Sequence, residues 1–424
     1  MDRRGEEETE YGERRRNQPT EEESLIGKTF ELIPLDLIHD ILLRLPAKSA
    51  VRFRAVSKLW SSITTRPDFI RSFAFQSSSR LCLLVCVKAG DKRLFISLPQ
   101  HELSVDSAYC SYVDRCQIKY PEGAYRHYHD PGSGSVHGLV SFGDFHEIVV
   151  WNPSMRQHVT LPDPPKPIVK YYIRSCLGHD PVEDKYKVLC ISGTHRGYHD
   201  PFVFTLGPQE SWRVAQNSPS YTHIPLPTMG RLGICINGHV YYEAEIRFKG
   251  DGDTIIFENV LMSFDVRYEE FNTIKKPPDD HGLGNLMLNY QGKLAWVCSE
   301  LDFSCIRFWV LGDGDKQEWS LNHFVWPFPS YPQNDPIFKC QLLMRGVTHD
   351  TGEFIFTATT FEAFAVLYYD PKRKRARRIV YEGIGDEEFW IHNGILEGIR
   401  HNIDWFPNHC ESLMSLGNVL IKAD

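Results

Sequence analysis

Residues 33–46 read Ile-Pro-Leu-Asp-Leu-Ile-His-Asp-Ile-Leu-Leu-Arg-Leu-Pro. At about 100° per residue, Leu35, Leu37, Ile38, Ile41, Leu42 and Leu45 cover roughly half of a helix circumference, more than a helix needs to pack on its own domain. Pro34 suits the first turn, Asp36 complements the positive helix start, Arg44 sits in the last turn, and Pro46 ends the helix. A second helical run carries Val56, Leu59, Trp60 and Ile63 at i, i+3, i+4, i+7 spacing, with Ser57 as its N-cap and Arg66-Pro67-Asp68-Phe69 as its end. A helical module of roughly 45 residues is near the lower limit for independent stability, so its surplus apolar face calls for a partner.

Beyond residue 80 the period shortens. Runs of Val, Ile, Leu, Phe, Tyr and Trp alternate with Gly, Asn, Asp and Pro, the pattern of many short strands joined by tight turns. The turns repeat. One series is Asp180-Pro181, Asn237-Gly238, Gln291-Gly292 and Asp350-Thr351-Gly352; a second, interleaved with it, is Asn152-Pro153, Gly207-Pro208, Asp265-Val266, Asp313-Gly314 and Asp370-Pro371. Both recur every ~50 to 60 residues, the pitch of a four-stranded propeller blade with one generous loop. The unit is clearest from Gly233 to Tyr242 and from Leu261 to Pro277, and it resembles a kelch-type blade without the paired glycines. Four to five units are visible, and residues 79–99 together with the last thirty are expected to close the ring.

With 424 residues, the chain is long enough for a small module and one large domain. The first 27 residues mix Glu runs with Arg14-Arg15-Arg16 and are expected to be a disordered tail. A net charge of −8 argues against sequence-independent nucleic-acid binding as the main activity. No apolar run approaches the roughly 20 residues that span a bilayer, and the start lacks a secretory core, so an intracellular protein without membrane contact is expected. Eleven cysteines are scattered, odd in number and nowhere spaced Cys-x-x-Cys, which predicts reduced, structural thiols; Cys82 and Cys86 lie in a strand-like run.

Catalytic motifs are missing: there is no Gly-x-Ser-x-Gly elbow, phosphate loop or His-Glu-x-x-His. His195 and His199 flank Gly197 and are expected in a loop, not on a metal-binding helix face. His127, His129 and His137 flank a flexible Gly-Ser segment. Asp251-Gly252-Asp253 and Asp313-Gly314-Asp315 lack the remaining ligands of a calcium loop and read as turns. Lys372-Arg373-Lys374-Arg375, followed by Arg377-Arg378, reads as a solvated hairpin tip before it reads as a nuclear import signal. Trp212, Trp296, Trp309, Trp319 and Trp326 could stack on a sugar ring, although aromatics in blade strands are usually core. No catalytic residue, metal or cofactor is expected.

Ile33-Pro34-x-Asp36-Leu37-Ile38-x-Asp40-Ile41-Leu42-x-Arg44-Leu45-Pro46-x-Lys48-Ser49, then Arg52-Phe53-Arg54-x-Val56-Ser57-Lys58-x-Trp60 and Pro67-x-Phe69, resemble the F-box. With an F-box in front, Gly138-Leu139-Val140-Ser141-Phe142, the run from Ile148 to Arg156 and the run from Leu177 to Leu189 resemble the F-box-associated domain of plant F-box proteins. The resemblance implies a small all-α F-box module (28–73) followed by an all-β, propeller-like, kelch-type domain (79–415). It also implies a non-catalytic, substrate-recognition subunit of a Skp–cullin–F-box ubiquitin ligase. The Skp-type adaptor, and through it the cullin and ring-finger subunits, would be held by Pro34, Leu37, Ile41, Leu42, Leu45, Pro46, Val56 and Trp60. The β domain would bind a target protein of unknown identity, in the nucleus and/or cytoplasm. The alternatives are a β domain that binds a glycan or small ligand, or a scaffold outside a ligase. Target binding is expected on the rim of the long loops 120–135, 193–201, 245–259 and 299–305, with little recognition at turns such as Asn237-Gly238 and Gln291-Gly292.

Overall fold

A computed structural model describes residues 33–89, 92–100, 115–116, 134–143, 148–164, 172–194, 197–198, 200–208, 210–226, 232–249, 254–278, 286–297, 305–312, 318–325, 342–358, 364–381, 384, 387–393, 402–417 and 419. The chain divides into two compact units, residues 1–45 and 46–424. The disordered tail expected over residues 1–27 lies outside the described residues.

In the first unit, helix α1 spans Leu35–Arg44. Pro34 is its N-cap and not its first turn: the Pro34 carbonyl accepts from Leu37 N and Ile38 N at 3.0 and 3.1 Å. The second unit begins with α2 (Ala47–Phe53), α3 (Lys58–Thr65) and α4 (Pro67–Ser77). Ser57 caps α3 as expected, its hydroxyl accepting from Leu59 N at 3.2 Å. Arg66-Pro67-Asp68-Phe69 does end α3, but the same residues also start α4. Proline at a helix's first position and an acid in its first turn are start signals as much as stop signals, and Phe69 and Phe73 then bury one face of α4.

Six antiparallel sheets follow, the blades of a propeller. Blade 1 combines Asn402–His409 with Cys82–Ala89, Lys92–Pro99 and Arg115–Cys116, so the two ends of the domain close the ring as expected. Among the described residues blade 2 holds Val140–Gly143, Ile148–Asn152 and Gln157–Thr160, its innermost position being taken by the short bridge between Val136 and Leu139. Blades 3 to 6 begin with the inner strands Tyr172–Asp180, Ile234–Ile236, Leu286–Tyr290 and Leu342–Val347. The four to five units legible in the sequence become six because blade 1 is split between distant segments and blade 2 is short.

Each blade is apolar on both faces because each is packed between two others. Along Cys82–Ala89, Leu83, Val85 and Val87 face a cluster shared with blade 6, while Leu84 and Cys86 face one shared with blade 2. Period-two alternation therefore sorts side chains between two cores instead of between core and water. Ionic contacts add to the packing. Glu269, its side chain without exposure, accepts from Lys187 Nζ at 2.9 Å, from the Arg213 guanidinium and from Gln216 N, joining blades 3 and 4. Arg377 donates to Glu353 within blade 6 and to the Gln100 carbonyl after blade 1.

Strand direction fixes two ends of the ring. Within blade 4, Ile234–Ile236 runs into the Asn237-Gly238 turn, His239–Lys249 returns, and Ile255–Asp265 comes back to the turn before Phe271–Ile274. The two short-turn series of the sequence therefore share one end, and the connections between second and third strands lie at the other. Two of the four expected long loops are corrected here. Residues 245–249 and 255–259 are the paired ends of an extended hairpin, with Lys249 opposite Ile255 and Glu245 opposite Asn259. Gly193 and Thr194 likewise pair with Tyr198 and Gly197. Backbone pairing satisfied groups that residue count alone assigned to loops. Residues 120–133 and 299–304 lie outside the described residues.

Candidate functional site

The amphipathic helix of the first unit has more apolar surface than it buries. Ile38 and Leu42 are fully buried and Leu45 half-buried, while Leu35, Leu37 and Ile41 remain 59%, 53% and 47% exposed. A helical repeat places Ile38 and Leu42 on one stripe and Leu37 and Ile41 beside it, one turn apart. Leu42, also in the expected contact set, is buried. Pro34 and Pro46 are exposed. In the second unit Val56 is 58% exposed, and Trp60 is half-buried with its ring 4.7 Å from Phe53. Leu59, 41% exposed, was in the helical pattern but not in the expected set. Periodicity marks a residue as apolar-facing without saying which of two apolar faces it joins.

Helices α2 to α4 are fastened to the short-turn end of the propeller. Glu411, just past the strand Asn402–His409, accepts from Ala47 N at 3.0 Å, and Glu411 N donates to Ser77 Oγ at 2.7 Å. Burial raises the Glu411 carboxyl above its ordinary range. Beside this junction a cavity of about 210 Å³ opens between the inner strands, lined by Ser78, His137, Cys235, Asn237, Asn289 and His349 among others. Several of its polar groups are committed to the fold: Asn237 Nδ2 donates to the Gly292 carbonyl, Gly292 N donates to Asn289 Oδ1, and Ser135 Oγ meets His409 Nδ1 at 2.8 Å. His137 reaches solvent at the cavity wall, yet crowding by protein atoms, and then His179 at 4.4 Å, holds its pKa at about 4. His409 is held at about 4 by burial. Both imidazoles are neutral near pH 7. Burial pushes the Cys235 and Cys410 thiols up to about 11 and about 12, so neither is a thiolate there.

The opposite end carries a different surface. The hairpin of blade 4 extends outward with Phe248, Ile255, Ile256 and Phe257 41%, 59%, 43% and 53% exposed. Thr222–Leu226 pairs with its inner strand, the Arg247 guanidinium lies 4.8 Å over the Phe257 ring, and Arg247 Nε donates to Glu245 at 3.1 Å.

The remaining sequence candidates resolve into structure where they are described. Cys82, Cys86, Cys176, Cys190, Cys235, Cys305 and Cys410 form no disulfide with one another. Trp212 and Trp296 are core, while Trp309 and Trp319 are half-buried against the cluster between blades 4 and 5, with Trp319 Nε1 donating to the Lys275 carbonyl at 2.7 Å. Trp212 and Trp296 therefore offer no free ring to a sugar. The basic run sits on a hairpin whose Asp370 accepts from Lys372 N and Arg373 N, and Arg377 is consumed by Glu353. Among the described residues no group of three His, Cys, Asp or Glu side chains could hold a metal ion. His195, His199, Asp251, Asp253, Asp313, Asp315 and Trp326 lie outside the described residues.

Comparison with known proteins agrees with this architecture. Residues 30–72 match the F-box domain family, and residues 82–410 match the F-box associated beta propeller domain family. The chain is 70% identical over 430 residues to an Arabidopsis thaliana protein named for its F-box (At4g21240), with 100% of both chains covered. It is also 37% identical over 388 residues to the Arabidopsis thaliana F-box protein At5g18160, covering 90% of this chain and 91% of that one. Among solved structures, TolB from Acinetobacter baumannii aligns at TM-score 0.36 and 8% identity, covering 73% of this chain and 67% of that one, which is too distant to bear on function.

Proposed function

Because the chain belongs to the F-box proteins that carry an F-box-associated β-propeller, we propose that it is the target-receptor subunit of a Skp–cullin–F-box ubiquitin ligase. The observation that carries the reading is the unspent apolar surface of α1. A helix that buries Ile38 and Leu42 yet keeps Leu35, Leu37 and Ile41 in water is built to be covered by another protein. The contacts we assign to the adaptor are Pro34, Leu37, Ile41, Leu45, Pro46, Val56 and Trp60, with Leu35 and Leu59 added and Leu42 removed. The subunit itself performs no chemistry; ubiquitin transfer belongs to a conjugating enzyme held by the cullin and ring-finger subunits. Its compartment is the nucleus and/or cytoplasm. The target docks at the propeller end away from α2 to α4.

Co-purification with a Skp-type adaptor tests the reading. Leu37→Ala with Ile41→Ala removes two exposed side chains, each worth about 2 kcal/mol at an interface centre, roughly thirtyfold in affinity per residue. The pair is expected to lose the adaptor while keeping the parent's thermal midpoint. A double variant that binds the adaptor as tightly as the parent would refute the assignment, as would ubiquitin transfer by the isolated chain.

A further inference from the structure

We propose that the outer edge of the blade 4 hairpin, residues 255–260, captures an extended, uncharged segment of the target as an added β-strand; this rests on the target-receptor reading above. The strand Ile255–Asp265 pairs with His239–Lys249 along its whole length, but with Phe271–Ile274 only from Leu261 to Phe264. Among the described residues, nothing pairs with 255–260 on the outer side. Backbone N–H and C=O groups on that edge therefore have no strand partner among the described residues, and an open edge is a template for another strand.

The side chains along the edge say what kind of strand. Residues alternate between faces, so Ile255 and Phe257 lie on one face and Ile256 on the other, the latter beside Phe248, its cross-strand partner. Apolar surface thus borders the edge on both faces, which suits alternate apolar side chains of an incoming chain. The charges nearby do not call for a charged ligand. Residues 243–249 and 254–260 contain Arg247 and Lys249 against Glu243, Glu245 and Glu258, a formal sum of −1. Arg247 is paired with Glu245, and Glu243 with Lys276. A second copy of this chain is the weaker occupant. Six residues at ~3.3 Å each give an edge about 20 Å long, and joining two such edges would bury only a few hundred Å², well short of the ~1,200 Å² of a stable interface. A linear segment of a tethered target needs far less area.

The test uses the full chain purified with the Skp adaptor and a display library of random linear ten-residue peptides. Selection is expected to enrich uncharged peptides with apolar residues at alternate positions. For the winning sequence, made synthetically, binding should weaken at least tenfold on Phe257→Asp and on N-methylation of alternate peptide amides along one edge only. Val182→Asp, at an exposed turn of the opposite end, should leave it unchanged. Backbone amides of 255–260 should gain hydrogen-exchange protection in the complex. No enrichment, enrichment of charged or helically spaced sequences, indifference to N-methylation, or dimers dissociated by Phe257→Asp would each overturn the proposal. Adaptor retention is scored in the same samples, its loss in the parent counting against the ligase reading, and a thermal midpoint of Phe257→Asp equal to the parent's shows that the variant is folded.

Discussion

Along the strand Ile255–Asp265, the first five residues are exposed and the next five buried. Ile255, Ile256 and Phe257 are as apolar as Leu261, Met262 and Phe264, and both halves pair with the same neighbour, His239–Lys249. The difference lies in what stands to either side. The inner half is packed between blades, Leu261 against Met287 and Trp296 of blade 5, and Met262 and Phe264 against Leu189 and Val203 of blade 3. The outer half projects beyond the ring. Burial in a propeller is a property of radial and axial position, and a strand that outruns its neighbours converts core-type residues into a binding surface.

The largest effect that could break this comparison comes from truncating each half. Leu261→Ala leaves a cavity between two blades and is expected to cost about 3 kcal/mol or more, whereas Ile255→Ala should change stability by less than ~0.5 kcal/mol. Urea unfolding of the two variants decides; equal losses would mean that the outer half is part of the core.

An intermediate effect concerns the clasp that the short-turn end has and the outer half lacks. Burial would raise the Glu269 carboxyl, but bonds from Arg213, Lys187 and Gln216 N outweigh it and hold the pKa at about 2. A folded-state pKa below the unfolded value of ~4.3 means that the carboxylate contributes its stability above that value and loses it as pH falls through about 2. Glu269→Gln is expected to cost about 2 kcal/mol near pH 7, because Lys187 loses its ionic partner. The same variant should flatten the fall of the thermal midpoint between pH 4.5 and 2. A parallel fall in parent and variant would show that the clasp does not titrate as described.

The smallest effect sharpens the other side of the comparison. Arg373, 77% exposed and 3.7 Å from Asp370, should be replaceable by Ala within ~0.5 kcal/mol, since exposed ion pairs contribute little. A larger loss on thermal unfolding would mean that the basic hairpin tip has a structural role beyond solvation.

The fold and the site were legible to different depths. The helical period of residues 35–45 and the two turn series marked a small helical module and a propeller, because periodicity is set by local geometry and each turn by its own residues. Asn237-Gly238 shows this directly: both residues take the left-handed backbone that their types favour. Pro67 follows the end of one helix and starts the next, since one residue serves both signals. The helical period marks Leu37, Ile41 and Leu42 alike as apolar-facing, and only the structure shows that Leu37 and Ile41 are exposed and Leu42 is buried.

By itself the sequence determined where helices give way to strands, where hairpins recur, and which side chains avoid water. Only the tertiary structure decided that there are six blades, in which register Asn402–His409 pairs with Cys82–Ala89, and that residues 245–249 pair with 255–259. Each of those outcomes depends on pairing between segments or on which neighbour reaches how far, and the free energy of such contacts is set by partners far away in the chain.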